Sequence, residues 1–191
     1  MNKLKNLIKK APINERRLEF KTYALEDDQL IVEGWLKDDK FLPTYHLDGE
    51  LSPAGKLHRI CVRLLLGGSP LSIRDAEAEM PVVPHDECRT TQDTVKKIIG
   101  MTIAHGYGDE LHKRIGGVRG CAHMVQLIMA MGTAALHGYW FNKARHRHPL
   151  PATLEELPDL DYLINSCKLW EKGGILINKI QAGLEKPGET K

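Results

Sequence analysis

No apolar run in this chain is long enough to span a bilayer, so no membrane-crossing helix is expected. Residues 1–10 alternate lysine with Leu4, Leu7 and Ile8, as a short amphipathic arm would. They lack the long apolar core of a signal peptide, which makes the cytoplasm the expected compartment. Charge of one sign is also missing. The 27 Lys+Arg and 25 Asp+Glu leave a net charge of +2, which predicts neither nucleic acid nor a membrane surface as partner. Cysteine is sparse: Cys61, Cys88, Cys121 and Cys167, with no C-x-x-C pair. Without a sign of export, reduced thiols are expected rather than disulfides. There is no internal repeat and no low-complexity tract. There is also no G-x-S-x-G, no H-E-x-x-H and no P-loop lysine, so those hydrolase, protease and nucleotide chemistries find no support.

The 191 residues suffice for one domain with a sizeable core, plus an extension. The reading divides them into an arm (1–14), an α+β core domain (15–145) and a C-terminal helical extension with a frayed end (146–191). Residues 15–25 alternate, with Leu18 and Phe20 on one face. Asp27 and Asp28 make a turn, and strand chemistry resumes from Leu30 to Leu36, which predicts an antiparallel hairpin. Residues 37–56 are polar and broken by Pro43, Gly49, Pro53 and Gly55, so they read mostly as loop.

A second hairpin follows. His58, Ile60, Val62, Leu64 and Leu66 share one face of residues 57–66, while Arg59, Cys61 and Arg63 share the wetter one. Gly67, Gly68, Ser69 and Pro70 form the turn. On the returning strand Leu71, Ile73, Asp75, Glu77 and Glu79 share a parity. If Leu71 and Ile73 continue the buried face, Asp75 and Glu77 follow them inward, towards the His58 end. A slip of one residue would put these acids in water.

Pro81 and Pro84 enforce an extended crossing, after which Thr90 or Thr91 caps a helix carrying Val95, Ile98 and Ile99. A short helix at residues 109–115 ends at Gly116 and Gly117. A long, largely apolar helix from about 118 to 145 is expected to pack on the sheet. Cys121 enters it behind three glycines. There the helix dipole and unpaired N–H groups favour a thiolate. His123 meets that thiol only if Cys121 still lies in the loop; otherwise it caps the helix or fills a satellite pocket. The run from Lys143 to His148 reads as a solvated, basic helix end. Beyond it, two short helices are expected to pack on the main body or on a protein partner.

Four donors at strand or helix ends share one region of this coarse fold: His58, Asp75, Cys88 and Cys121. Imidazole, carboxylate and thiolate are the usual ligands of zinc, and thiolates those of iron–sulfur clusters. Glu77, Glu79, His85 and His123 are further donors that would complete such a set. Buried cysteine is otherwise an ordinary small hydrophobe, and Cys61 and Cys167 read as structural.

The motifs R-R-x-E-x-x-x-Y, V-E-G-W-L-x-D, P-A-G-K-L-H-R-I-x-V-R-L, I-R-D-A-E-A-E-M-P-x-x-P-x-x-E-C and G-G-V-R-G-C-A-H-M-V-Q-L occur in this order. In this they resemble the bacterial family known as domain of unknown function 2889, over residues 16–139. Ala122 stands where that family usually has threonine. The resemblance brings no agreed activity with it. A weaker similarity is to the U-type iron–sulfur assembly scaffolds. They too run from sheet to helices, with an I-x-D turn-back and cysteines before two helices. The order here is His58, Ile73-Arg74-Asp75, Cys88 and Cys121. Histidine in place of the first cysteine implies a Cys2His-carboxylate site for zinc or a single iron rather than a three-thiolate cluster.

The expected architecture is therefore α+β: an antiparallel sheet of about four strands with helices on one face, plus the C-terminal extension. The preferred function is a metal-binding accessory or scaffold protein holding zinc or iron through His58, Asp75, Cys88 and Cys121. One alternative is a small enzyme with Cys121 as nucleophile and His58 as base. The other is a metal-free interaction module.

Overall fold

Leu30, Val32 and Leu36 alternate with more exposed neighbours and are fully buried. A strand with one face on a core requires this period of two. They lie on β2 (Leu30–Lys40), which pairs antiparallel with β1 (Asn14–Ala24). A computed structural model describes residues 3–26, 28–147, 151–157 and 159–184. Asp28, at φ 57°, turns the chain between the two strands.

The chain then makes a small hairpin, β3 (Thr44–Tyr45) with β4 (Leu51–Ser52). It re-enters the sheet as β5 (Gly55–Gly67) and turns back as β6 (Ser72–Val82). The main sheet is antiparallel in the order β1-β2-β5-β6. The segment read as loop from residue 37 is thus shorter than expected. β2 runs on to Lys40 because Asp38 has cross-strand partners on both sides.

One face of the sheet is covered. The 3-10 helix Asp86–Ile98 buries Val95 and Ile98, in step with Met101. A spacing of three suits the three-residue turn of that helix. Helix α1 (Tyr107–Ile115) contributes Tyr107, Leu111 and Ile115 to the same core. Helix α2 (Ala122–Ala144) contributes Met124, Leu127, Ile128, Met131 and Ala135. Glycine lets α2 lie close on the sheet. A Cβ at Gly34 would come within 2.7 Å of Met131 Sδ, and one at Gly138 within 2.4 Å of Thr22 Cγ2.

The opposite face carries ion pairs, including Lys37–Glu19 at 2.5 Å and Arg63–Glu33 at 2.8 Å. Cys61 lies on this face yet is buried, between its cross-strand partners Trp35 and Glu79. Burial pushes its thiol up to about 12.

The chain divides into two units, Met1–Asn142 and Lys143–Lys191. The second contains α3 (Leu160–Leu163), a 3-10 turn at Lys168–Trp170 and α4 (Ile175–Leu184). Within it Lys143 pairs with Asp159 at 2.9 Å. The readings that touch Asp27, His148 and the frayed end at 185–191 lie outside the described residues. No described helix is long and apolar enough to cross a membrane.

Candidate functional site

The inner parity of β2 runs Leu30, Val32, Gly34, Leu36 and then Asp38. That of β5 runs back from Leu66 through Leu64, Val62 and Ile60 to His58. Register makes Asp38 the cross-strand partner of Arg16 on one side and of His58 on the other. An aliphatic row on three strands thus ends in a polar row: Arg16, Asp38, His58. Asp38 is 6% and His58 7% exposed, and among the described residues they are the charged or polar ones buried with the core.

Buried charges need partners, and these have them. Arg16 grips the Asp38 carboxylate with two donors, Nε to Oδ1 at 2.7 Å and Nη2 to Oδ2 at 2.6 Å. Its Nη1 donates to Gln126 Oε1 on α2 at 2.6 Å. His58 Nδ1 lies 2.9 Å from Asp38 Oδ2. An ionised carboxylate only accepts, so Nδ1 carries the proton and Nε2 keeps its lone pair. Arg59 donates to the carbonyls of Asp38 and His58, both at 2.7 Å, which fixes the strand ends themselves.

The entrance of α2 closes the site. A 3-10 turn at Gly117–Arg119 precedes the helix. The Cys121 carbonyl accepts the Val125 N–H at 3.0 Å, so Cys121 is the residue before the first helical turn and not inside it. That placement resolves the question of His123. From the helix's first turn its Nδ1 reaches back to 3.9 Å from Cys121 Sγ. Its ring also lies against His58, with centroids 4.0 Å apart and planes tilted by 38°. Ligand-capable atoms of Asp38, His58 and His123 all fall within 4.8 Å of one another.

The electrostatics follow from this packing. Burial pushes the Asp38 carboxyl upward, but the hydrogen bond and charge of Arg16, with His58, hold it below the ordinary range. Burial lowers His58 against a smaller opposing pull from Asp38, so the ring stays neutral at neutral pH. Burial would raise Cys121. The contact with His123 and the backbone N–H groups of Met124 and His123 outweigh it, and the thiol lies below its usual value. Such a group supplies a neutral imidazole at His58, a second imidazole at His123, a readily ionised thiol and a carboxylate already neutralised by arginine.

Of the residues singled out from sequence, His58 and His123 belong to this cluster, and Cys121 lies beside it, its Sγ 3.9 Å from His123 Nδ1. Asp75 does not point inward. A bulge at Leu65/Leu66 lets Ile73 face Leu66 while Asp75 faces Leu65, which flips the parity of the rest of β6. Ala76 and Met80 are buried instead. Asp75 is exposed and bonds Lys96 Nζ at 3.1 Å, and it accepts the Ala76 N–H at 2.8 Å. Lys96 first, and then that N–H, hold its carboxyl below the ordinary range. Its partner Leu65 is also about 23 Å along β5 from His58, at about 3.3 Å per residue. Glu77 and Glu79 pair with Arg63 on the outer face. His85 is exposed, and half-buried Cys88 donates its N–H to the His85 carbonyl at 3.0 Å. Neither joins the described ligand cluster.

Sequence reasoning passed over Arg16 and Asp38. Their signal was the inner parity, which reaches Arg16 on β1 and Asp38 on β2.

The fold and site define an α+β domain with an Arg–Asp–His–His–Cys chain, buried at Asp38 and His58, where the sheet meets a helix entrance. A family model described as "Protein of unknown function (DUF2889)" matches residues 14–137, and the chain belongs to that family. The matched span contains every member of the cluster. No curated protein and no solved structure matches the chain. No finding supports the similarity to iron–sulfur assembly scaffolds.

Proposed function

We propose that this domain binds one divalent transition-metal ion, zinc or iron, through His58 Nε2, His123 and the Cys121 thiolate. Asp38 acts behind His58 as the group that orients it. The observation carrying this reading is the Asp38–His58–His123 juxtaposition. A carboxylate fixes one ring by its Nδ1–H and leaves Nε2 as a ligand beside a second imidazole. Metal-bound histidines are generally held this way. Ligand nitrogens on a tetrahedral zinc lie about 3.4 Å apart. The grouping within 4.8 Å covers Asp38, His58 and His123, and Cys121 Sγ adjoins it through His123 Nδ1, 3.9 Å away. The lowered His58 and Cys121 values support it too, because protons then compete less with the metal. Arg16 bonds both Asp38 oxygens, which favours Asp38 as positioning group over ligand.

Cobalt(II) titration of the untagged full chain tests this. One equivalent should give the visible bands of a four-coordinate ion, and a sulfur-to-cobalt charge-transfer band that Cys121→Ser removes. Absence of visible bands refutes the metal reading. Visible bands without the sulfur band refute Cys121 as a ligand.

One observation favours a second reading, in which Cys121 is a nucleophile. Its thiol is lowered and lies beside His123 rather than beside His58. In that case His123, backed by His58 and Asp38, manages the thiol proton. Iodoacetamide should then label Cys121 well below the pH that an ordinary thiol needs, and zinc should leave the rate unchanged. Protection by stoichiometric zinc contradicts this second reading.

A further inference from the structure

We infer that the site, once metal is bound, takes a small carboxylate ligand that spans an open coordination position and the Arg16 guanidinium. This rests on the metal reading above and adds the class of ligand. The donors at the cluster are limited. Asp38 Oδ1 accepts from Arg16 Nε, and Oδ2 accepts from both Arg16 Nη2 and His58 Nδ1. Three of that carboxylate's roughly four acceptor sites are taken, two of them by Arg16. His58, His123 and Cys121 are then the protein ligands, one fewer than a tetrahedral ion takes. Three protein ligands with an open fourth place is the pattern of zinc sites that accept an exogenous group.

Arg16 sets the charge of that group. A guanidinium has five N–H bonds. Arg16 uses one at Nε, one at Nη1 towards Gln126 and one at Nη2. Two remain, on a side chain that is 36% exposed. Gln126 lies three residues beyond His123 on α2, so the two share a helix face. The guanidinium is therefore held on one side by the carboxylate that orients His58 and on the other by the residue one turn past His123. A carboxylate has the matching chemistry, one oxygen for the metal and the other for the free N–H groups. Cys121 and His123 are half-buried on the helix side, whereas His58 is buried on the sheet side.

The test uses the cobalt-loaded full chain with acetate as probe and acetamide as its neutral counterpart. Acetate should change the visible cobalt bands saturably, and acetamide should leave them as they are. Arg16→Lys keeps a cation but loses the planar fork. It should still bind cobalt and should weaken acetate about tenfold, the loss expected for one charge-assisted hydrogen bond. An unchanged spectrum with acetate in large excess overturns the open position. Equal responses to acetate and acetamide overturn the anion selectivity. Full acetate affinity in Arg16→Lys, with an unaltered melting curve, overturns the role of Arg16. Failure to bind cobalt at all is a different result. It removes the metal reading, and this inference with it.

Discussion

Replacing Asp38 by asparagine keeps the shape of the side chain and changes what it can hold. The carboxylate accepts three hydrogen bonds, two from Arg16 and one from His58. An amide offers one acceptor oxygen and one NH2. If the oxygen stays with Arg16, the NH2 faces His58 Nδ1, which must then become the acceptor. The ring proton moves to Nε2, the nitrogen assigned to the metal. Breaking a buried ion pair by removing one partner costs roughly 3–5 kcal/mol. Arg16 keeps water contact and a bond to Gln126, so the cost should fall to about 2–3 kcal/mol. For a chain of this size that lowers the melting temperature by roughly 4–12 °C. Loss of a group that orients a ligand typically weakens metal binding about 10–100-fold. Urea melts, cobalt titration and imidazole nitrogen NMR of Asp38→Asn read these three effects. An unchanged His58 tautomer, with stability within about 0.5 kcal/mol of the parent, would refute the reasoning.

Three further outcomes are expected. Acid should destabilise the apo protein in two stages. The native His58 resists protonation that the unfolded chain accepts below its ordinary 6.5, so stability should begin to fall there as pH drops. It should fall again below 3.8, as Asp38 loses a charge its native partners favour. A urea-midpoint profile flat from neutral pH to that point would contradict the assignment of His58. Gly138→Ala should cost about 1–3 kcal/mol, because the new methyl meets stiff Thr22. Gly34→Ala should cost less, because Met131 can bend away, and reversal of that order in thermal melts would refute the packing argument. Asp75→Ala should leave both stability and cobalt affinity nearly unchanged, since its exposed pair with Lys96 contributes little. A large loss of cobalt binding would return Asp75 to the site.

Much of this was legible along the chain, and the exceptions have physical causes. Strand alternation placed His58 correctly, because Ile60 to Leu66 fix the parity of the whole row and the helix-covered face requires it. The same logic applied to β6 failed at Asp75. A bulge is a matter of pairing between two strands, and no local sequence signal announces the lost residue of register. Asp38 was missed for a different reason. Its strand ends in a charged run, Lys37 to Lys40, which reads as loop until Arg16 and His58 are known to flank it. Cys121 was recognised as a helix-entrance thiol. Its placement one residue before the helix, which lets His123 turn back to it, depends on how the 3-10 turn at Gly117–Arg119 ends. The motifs quoted for the family contained Arg16, Asp38, His58, Cys121 and His123, but only the sheet register shows that they meet.

The most direct test follows the imidazole nitrogens by NMR while zinc is added to the untagged full chain. Binding at the cluster should move the ring signals of His58 and His123 at one equivalent, leave His58 Nδ1 protonated, and spare the remaining histidines. Movement confined to exposed histidines such as His85, or no saturable change in His58 and His123, would contradict a metal site built on the Asp38–His58–His123 juxtaposition.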